Sequence, residues 1–243
     1  MAQSHVSLEV AEQVLGYHFL DGSLGEIALQ PWVSGFSRLE FLGDAILGLA
    51  IGADAALGGR PLEMAIRAVS NETLDELFFS LLAGATTANT GDVIEALVGA
   101  VHLDTGIYQA AQVAVQLCGW RDDWSVPVDV GRVDAMSTRG LAFVGAMVLS
   151  AITADHLCQL APTQSHQWYS EERSRLLRRS RLAQLAGRAA GADGAAIASK
   201  KSEAATSDKL ERNVARVFLA DGWLSAQTWC SAMGVLSTPN SRP

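Results

Sequence analysis

Apolar residues recur at i, i+3 and i+4 along most of the chain, and alternating β-branched runs are nowhere evident. That spacing is the period of a helix, and Ala, Leu, Glu, Gln and Arg dominate the periodic segments. The pattern predicts helices over 7–15, 22–30, 37–57, 61–68, 71–83 and 90–118. Ser70 or Asn71 would cap the fifth, and Asn89, Thr90 or Gly91 would start the sixth. Gly43, Gly48 and Gly52 recur within the third. Each costs stability in a helix interior, and the usual reason for such glycines is the close approach of another helix. The pattern breaks over Gly119–Pro127, where Gly, Pro and a charge cluster mark a boundary.

The third segment is apolar nearly all round, yet it carries Glu40 and Asp44 four residues apart. Positions i and i+4 lie one above the other on a helix, so both carboxylates leave one face. A helix this apolar is normally buried, where two like charges repel and lose hydration unless a cation or hydrogen-bond donors offset them. Asp92 and Glu95, three apart, repeat the arrangement at the start of the sixth segment. Four carboxylates on two helices suit a hard cation such as Mg2+, which takes oxygen ligands. Paired metals of this kind can generate a hydroxide and clamp a phosphodiester during in-line displacement. Either pair alone also fits solvated surface charge; the two together, within runs this apolar, favour a site.

Leu39-Glu40-Phe41-Leu42-Gly43-Asp44-Ala45 resembles the signature of the ribonuclease III family, and Asp92-Val93-Ile94-Glu95-Ala96-Leu97 resembles its second acidic motif. Val69-Ser70-Asn71-Glu72-Thr73-Leu74 and Leu15-Gly16-Tyr17-His18-Phe19 also have the family's look, in the family's order. One departure is Ser37, where the family commonly carries an acid. The resemblance implies an all-α fold and hydrolysis of double-stranded RNA to 5'-phosphate and 3'-hydroxyl ends. It implies Mg2+, with Mn2+ as an alternative, held by Glu40, Asp44, Asp92 and Glu95 as catalytic and metal-binding residues.

The chain also resembles itself. Leu141–Leu149 matches Leu39–Leu47 at 102 positions' distance, Leu177–Leu182 tracks Val69–Leu74 at 108, and Asp208–Leu219 tracks Asp92–Leu103 at 116. The growing offset sits mostly in a small-residue stretch, 187–207, which reads as a flexible loop. At the acids, Glu40 is matched by Ala142 and Asp44 by Ala146, whereas Asp92 and Glu95 are matched by Asp208 and Glu211. Half a ligand set should bind Mg2+ weakly, so this site reads as degenerate. Asp208 and Glu211 also fit ordinary surface acids, or partners for Arg212 and Arg216. The expected organisation is a catalytic ribonuclease III-like domain at 1–120, a linker at 121–138 and a degenerate ribonuclease III-like domain at 139–237. Family members work as dimers of this domain, so the resemblance implies an intramolecular pseudodimer of the Dicer type, with a homodimer as the alternative. Fusion raises the partner's effective concentration and favours the former. One working site then implies nicking of one strand.

A net charge of −8 argues against RNA binding until its distribution is considered. Residues 1–130 hold four basic side chains against seventeen acids, and residues 131–243 hold fourteen against nine, a balance of −13 and +5. Arg173, Arg175, Arg178, Arg179 and Arg181 form a dense run, with Arg188, Lys200 and Lys201 beyond it and Asp193 the sole acid between Arg173 and Lys201. Duplex RNA is gripped through phosphates and 2'-hydroxyls by shape, which an arginine face can do. A solvated face, or one attracted to the acidic half, fits the run as well. Few residues follow Trp223, so a separate RNA-binding domain is not expected and substrate affinity would come from a partner protein or a preassembled ribonucleoprotein. Cys118, Cys158 and Cys230 fit free thiols in the cytoplasm or another reducing compartment. No uncharged apolar run reaches 18 residues and the N-terminus lacks a signal-peptide layout, so no membrane association is expected. His102 alone among five histidines lies near a motif, and it reads as a packing or hydrogen-bonding residue rather than a ligand. Two functions compete: a Mg2+-dependent endoribonuclease acting on double-stranded or structured RNA, and a non-catalytic RNA-binding scaffold of an RNA-processing or ribosomal complex.

Overall fold

The computed structural model describes residues 6–81, 90–120, 124, 126–189 and 200–237. Every regular element among the described residues is an α-helix. The chain divides into two compact units, residues 1–124 with 158–169, and residues 125–157 with 170–243.

In the first unit the predicted helices form close to their predicted bounds: α1 (Leu8–Leu15), α2 (Gly22–Ala28), α3 (Phe36–Leu57), α4 (Leu62–Ala68) and α5 (Asn71–Leu81). Ser70 caps α5, its hydroxyl accepting from the Thr73 amide at 3.4 Å. Residue Asn89, a candidate start of the sixth helix, lies outside the described residues. The single helix expected over 90–118 is two, α6 (Thr90–Thr105) and α7 (Ile107–Leu117). Gly106 separates them at φ 94°, a conformation that side-chain-bearing residues rarely adopt and that ends α6.

The core of this unit is α3 against α6. Leu42, Ile46 and Leu49 of α3 and Ile94, Leu97 and Val98 of α6 are each at most 1% exposed. Gly43 brings the two backbones together: a Cβ there would fall 1.7 Å from the Glu95 carbonyl oxygen, and one on Gly99 would fall 2.1 Å from that of Leu39. Close approach, expected at the glycines of α3, is thus realised at Gly43. The turn between α1 and α2 fastens the far end of α6, because Asp104 accepts from the Tyr17 hydroxyl at 2.5 Å and from the Leu20 and Asp21 amides at 2.7 and 3.0 Å. That accounts for Tyr17 in the Leu15–Phe19 motif as a clamp on α6.

The second unit contains α8 (Val130–Asp134), most of α9 (Thr138–Leu160) and α10 (His166–Leu176), then α11 (Arg179–Ala189), α12 (Lys200–Asp221) and α13 (Trp223–Ala232). Leu210, Val214 and Phe218, at i, i+4 and i+8 of α12, are buried. Gly145 of α9 again permits close crossing: its Cβ would fall 1.8 Å from the Glu211 carbonyl oxygen. The expected loop at 187–207 is helical at both ends, 187–189 in α11 and 200–207 in α12. Lys, Glu and Ala at 200–205 are good helix formers, and the Thr206 hydroxyl donates to the Ser202 carbonyl within the helix. Residues 190–199 of that stretch, and 121–123 and 125 of the expected linker, lie outside the described residues. α9 is long and apolar enough to cross a membrane by length and composition, but 67% of that stretch is buried within the protein.

Candidate metal centre

The α3–α6 crossing sets the geometry of the acids. Backbones in contact at Gly43 and Gly99 bring the carboxylates of Glu40, Asp92 and Glu95 together, with a donor atom of each within 4.8 Å of the others. Glu95 is 8% exposed, and Glu40 and Asp92 are half-buried. Asp44 lies outside this compact trio, one turn along α3 and half-buried, but its charge reaches Glu40. Burial first, then the neighbouring charges of Asp92 and Asp44, push the Glu40 carboxyl up to about 7. Burial and the charge of Asp75 likewise raise Asp92, an effect His166 partly offsets. The trio is a set of oxygen donors whose mutual repulsion a dication would relieve, which fits a hard cation such as Mg2+.

Two residues here were not legible in the sequence. Asp75 of α5 holds the start of α6, accepting from the Gly91 amide at 2.6 Å and from the Thr90 hydroxyl. It acts as an N-cap supplied from another helix, with no sequence spacing to betray it. His166 opens α10 and puts its Nε2 3.7 Å from Oε1 of Glu40, 126 positions away in the chain. Its neighbour in the same helix, Tyr169, stacks on Phe41 with ring centroids 5.0 Å apart. His102 is 8% exposed.

In the second unit Ala142 and Ala146 of α9 and Asp208 and Glu211 of α12 are all half-buried. Burial and then the charge of Asp208 raise the Glu211 carboxyl, while the Ser207 hydroxyl, 3.2 Å away, and the charges of Arg179 and Arg212 act the other way. The five arginines of the basic run differ sharply. Arg181 donates to the carbonyls of Leu176, Val235, Gly234 and Ser237 at 2.6–2.9 Å. Arg175 pairs with Glu172, its Nε 2.9 Å from Oε2, and Arg173 donates to the Ser150 hydroxyl at 3.3 Å. Arg178 and Arg179 are exposed. The side chains of Lys200 and Lys201 lie outside the described residues.

Comparison with known proteins brings in relatives of one name. Ribonuclease 3 of Pseudomonas aeruginosa (strain UCBPP-PA14) is 33% identical over 150 residues, covering 52% of this chain and 66% of that protein. Ribonuclease 3 of Allorhizobium ampelinum is 33% identical over 154 residues, covering 52% and 63%. That of Psychrobacter arcticus is 32% identical over 123 residues, covering 40% and 46%. The chain thus spans less than two thirds of the length of these curated relatives. No family model matches it. Homologues of this name over half of the chain support its kinship with the ribonuclease III family.

Proposed function

From that ribonuclease III kinship we propose that the chain is a Mg2+-dependent endoribonuclease that hydrolyses phosphodiester bonds in double-stranded or structured RNA. The observation that carries this reading is the trio Glu40, Asp92 and Glu95, gathered on two helices whose backbones touch. These three carboxylates, with Asp44 a turn away, would hold the cation. When bound, Mg2+ would supply charge stabilisation and make its bound water more acidic than bulk water. Asp92 leaves the first turn of α6 and Glu95 the second, so the cap from Asp75 fixes the start of the helix that carries both carboxylates. The glycine contact fixes their distance from Glu40.

The second unit is proposed to be a degenerate copy of the first, paired with it inside one chain. Its support is the repeated crossing: Gly145 and Glu211 follow Gly43 and Glu95 by 102 and 116 positions, the same offsets as the sequence repeats. With Ala142 and Ala146 in place of two acids, one site works per chain and the product is a nick. The exposed Arg178 and Arg179 contribute phosphate contacts in this reading.

The same two alanines favour the competing reading, a non-catalytic scaffold for RNA. A duplex RNA labelled differently on each strand, incubated with Mg2+ and the protein, separates the two. Hydrolysis is expected on one strand, and Glu40→Ala and Asp44→Asn should each lower it by about a thousandfold or more, the loss of several kcal/mol of metal-borne stabilisation. Binding without hydrolysis would leave the scaffold, and cuts on both strands would replace the paired units with pairing between chains.

A further inference from the structure

His166 belongs to the first unit, with Glu40, Asp92 and Glu95, although it is far from them in sequence. Ser165 caps its helix, accepting from the Trp168 amide at 3.2 Å, so the backbone at His166 is the fixed first turn of α10. One turn on, the Tyr169 hydroxyl donates to the Ala161 carbonyl at 2.6 Å and its ring stacks on Phe41. Residues i and i+3 share a helical face, so His166 meets the same phenyl ring edge-on, centroids 5.9 Å apart. Phe41 directly follows Glu40. These contacts hold the imidazole beside the carboxylate while its side chain stays 44% exposed.

Nε2 stands 3.7 Å from Oε1 of Glu40, too far for a hydrogen bond, and the compact cluster of acids closes without the ring. The ring thus lies outside the ligand set, and Glu40 does not take up its hydrogen. Mg2+ is octahedral and keeps several places for water or substrate phosphate that the protein does not fill. Neighbouring oxygens on such an ion are about 3.0 Å apart, so an oxygen placed next to Glu40 can lie within hydrogen-bond reach of Nε2. We infer that His166 is a substrate-contacting residue that donates a hydrogen bond from Nε2 to a non-bridging oxygen of the scissile phosphate. The inference rests on the Mg2+-dependent hydrolytic reading of the trio and adds to it a donor on the phosphate side. Imidazole suits the position, because Nε2 carries a hydrogen both in the imidazolium and in one neutral tautomer. Three carboxylates repel an incoming phosphate, and a donor beside them offsets that repulsion.

The test uses the full chain and a duplex RNA whose cut position has been mapped with the wild type. His166→Ala should lower kcat/KM by about tenfold or more, and His166→Gln, which puts an amide N–H near the place of Nε2, should recover part of that loss. Mg2+ affinity, read by calorimetry, should not weaken in either variant, since the ring is no ligand. The decisive reading is a cycle in RNA affinity, measured with Ca2+ in place of Mg2+. His166→Ala should weaken binding of the unmodified duplex by about tenfold. With a methylphosphonate at the cut position, in at least one of its two diastereomers, the same substitution should weaken binding by no more than about twofold. A merely structural role for the ring would cost the same on every duplex. Unchanged kcat/KM in His166→Ala, equal losses on unmodified and modified RNA, or a Mg2+ affinity that falls with the ring overturns the phosphate contact, while hydrolysis by the wild type keeps the carboxylate site standing. A wild type that hydrolyses no duplex overturns both.

Discussion

A Cβ on Gly43 would fall 1.7 Å from the carbonyl oxygen of Glu95, and one on Gly145 would fall 1.8 Å from that of Glu211. Two helix pairs thus cross at backbone contact through the same device, one in each unit. Around the first crossing the side chains are Glu40, Asp92 and Glu95 in a 4.8 Å cluster with Asp44 nearby. Around the second, Ala142 and Ala146 stand where the first has acids, and Glu211 has Ser207, Arg179 and Arg212 for company. The crossing is therefore a scaffold separable from the chemistry it carries. Glycine sets how near the helices come; what is placed three residues before it and one after decides whether acids or methyl groups face the crossing.

The largest effects should come from the glycines themselves. Gly43→Ala and Gly145→Ala each force a methyl group into a backbone carbonyl, which no side-chain rotation relieves. Each should destabilise by about 3 kcal/mol or more, read by urea denaturation. Under the tandem reading both substitutions are equally severe for stability, and a mild Gly145→Ala would mean that the second crossing is looser than the first. Gly16, at φ 61° with nothing within 4 Å of its Cβ, is a useful contrast, since an alanine there meets backbone strain but no clash.

Next come the arginines of the second unit, where one run of like residues divides by what each touches. Arg181→Ala strips donors from four carbonyls that tie α10 to the chain after α13, and about 2–3 kcal/mol should be lost. Arg178→Ala and Arg179→Ala should leave stability within about 0.5 kcal/mol of wild type, because both are exposed. If they contact phosphate, each should lower duplex RNA affinity and reduce the slope of log affinity on log salt by about 1. An unchanged slope in both would return the run to a solvated face.

Much of this was legible in the chain because it is encoded locally. The periodicity gave the first five helices to within a few residues, and the i, i+4 and i, i+3 acids announced carboxylates leaving one face of α3 and one of α6. The break at Gly106 was not, since one glycine within an apolar run carries no sign of the φ it will adopt. Nor could sequence separate Arg181 from Arg178, which differ only in the carbonyls that tertiary structure brings to one of them. Asp75 and His166 were missed for the same reason: their partners, Gly91 and Glu40, are 16 and 126 positions away. Local pattern shows which groups are available, and the fold decides which of them meet.

The smallest effect is the most selective. Glu40 has its folded carboxyl pushed from 4.5 to about 7, by burial and then by Asp92 and Asp44. Below pH 4.5 folded and unfolded chains both hold the proton, and Glu40 costs nothing. Between 4.5 and about 7 the unfolded chain releases it first, so metal-free stability falls across that window and stays lower above it. Allowing for screening by water at a partly exposed group, the loss is on the order of 1–2 kcal/mol. Glu40→Gln should flatten that part of the profile and raise stability at pH 7.5 in chelator, while Mg2+ should stabilise the wild type and do little for the variant. Glu211 is raised as well, but Ser207, Arg179 and Arg212 work against the shift, so Glu211→Gln should change the profile less, and equally with and without Mg2+. Denaturation midpoints across pH 4–8, with and without Mg2+, test this. Equal Mg2+ protection of wild type and Glu40→Gln would detach the cation from the first crossing, and Mg2+ protection lost in Glu211→Gln would give the second crossing a cation of its own.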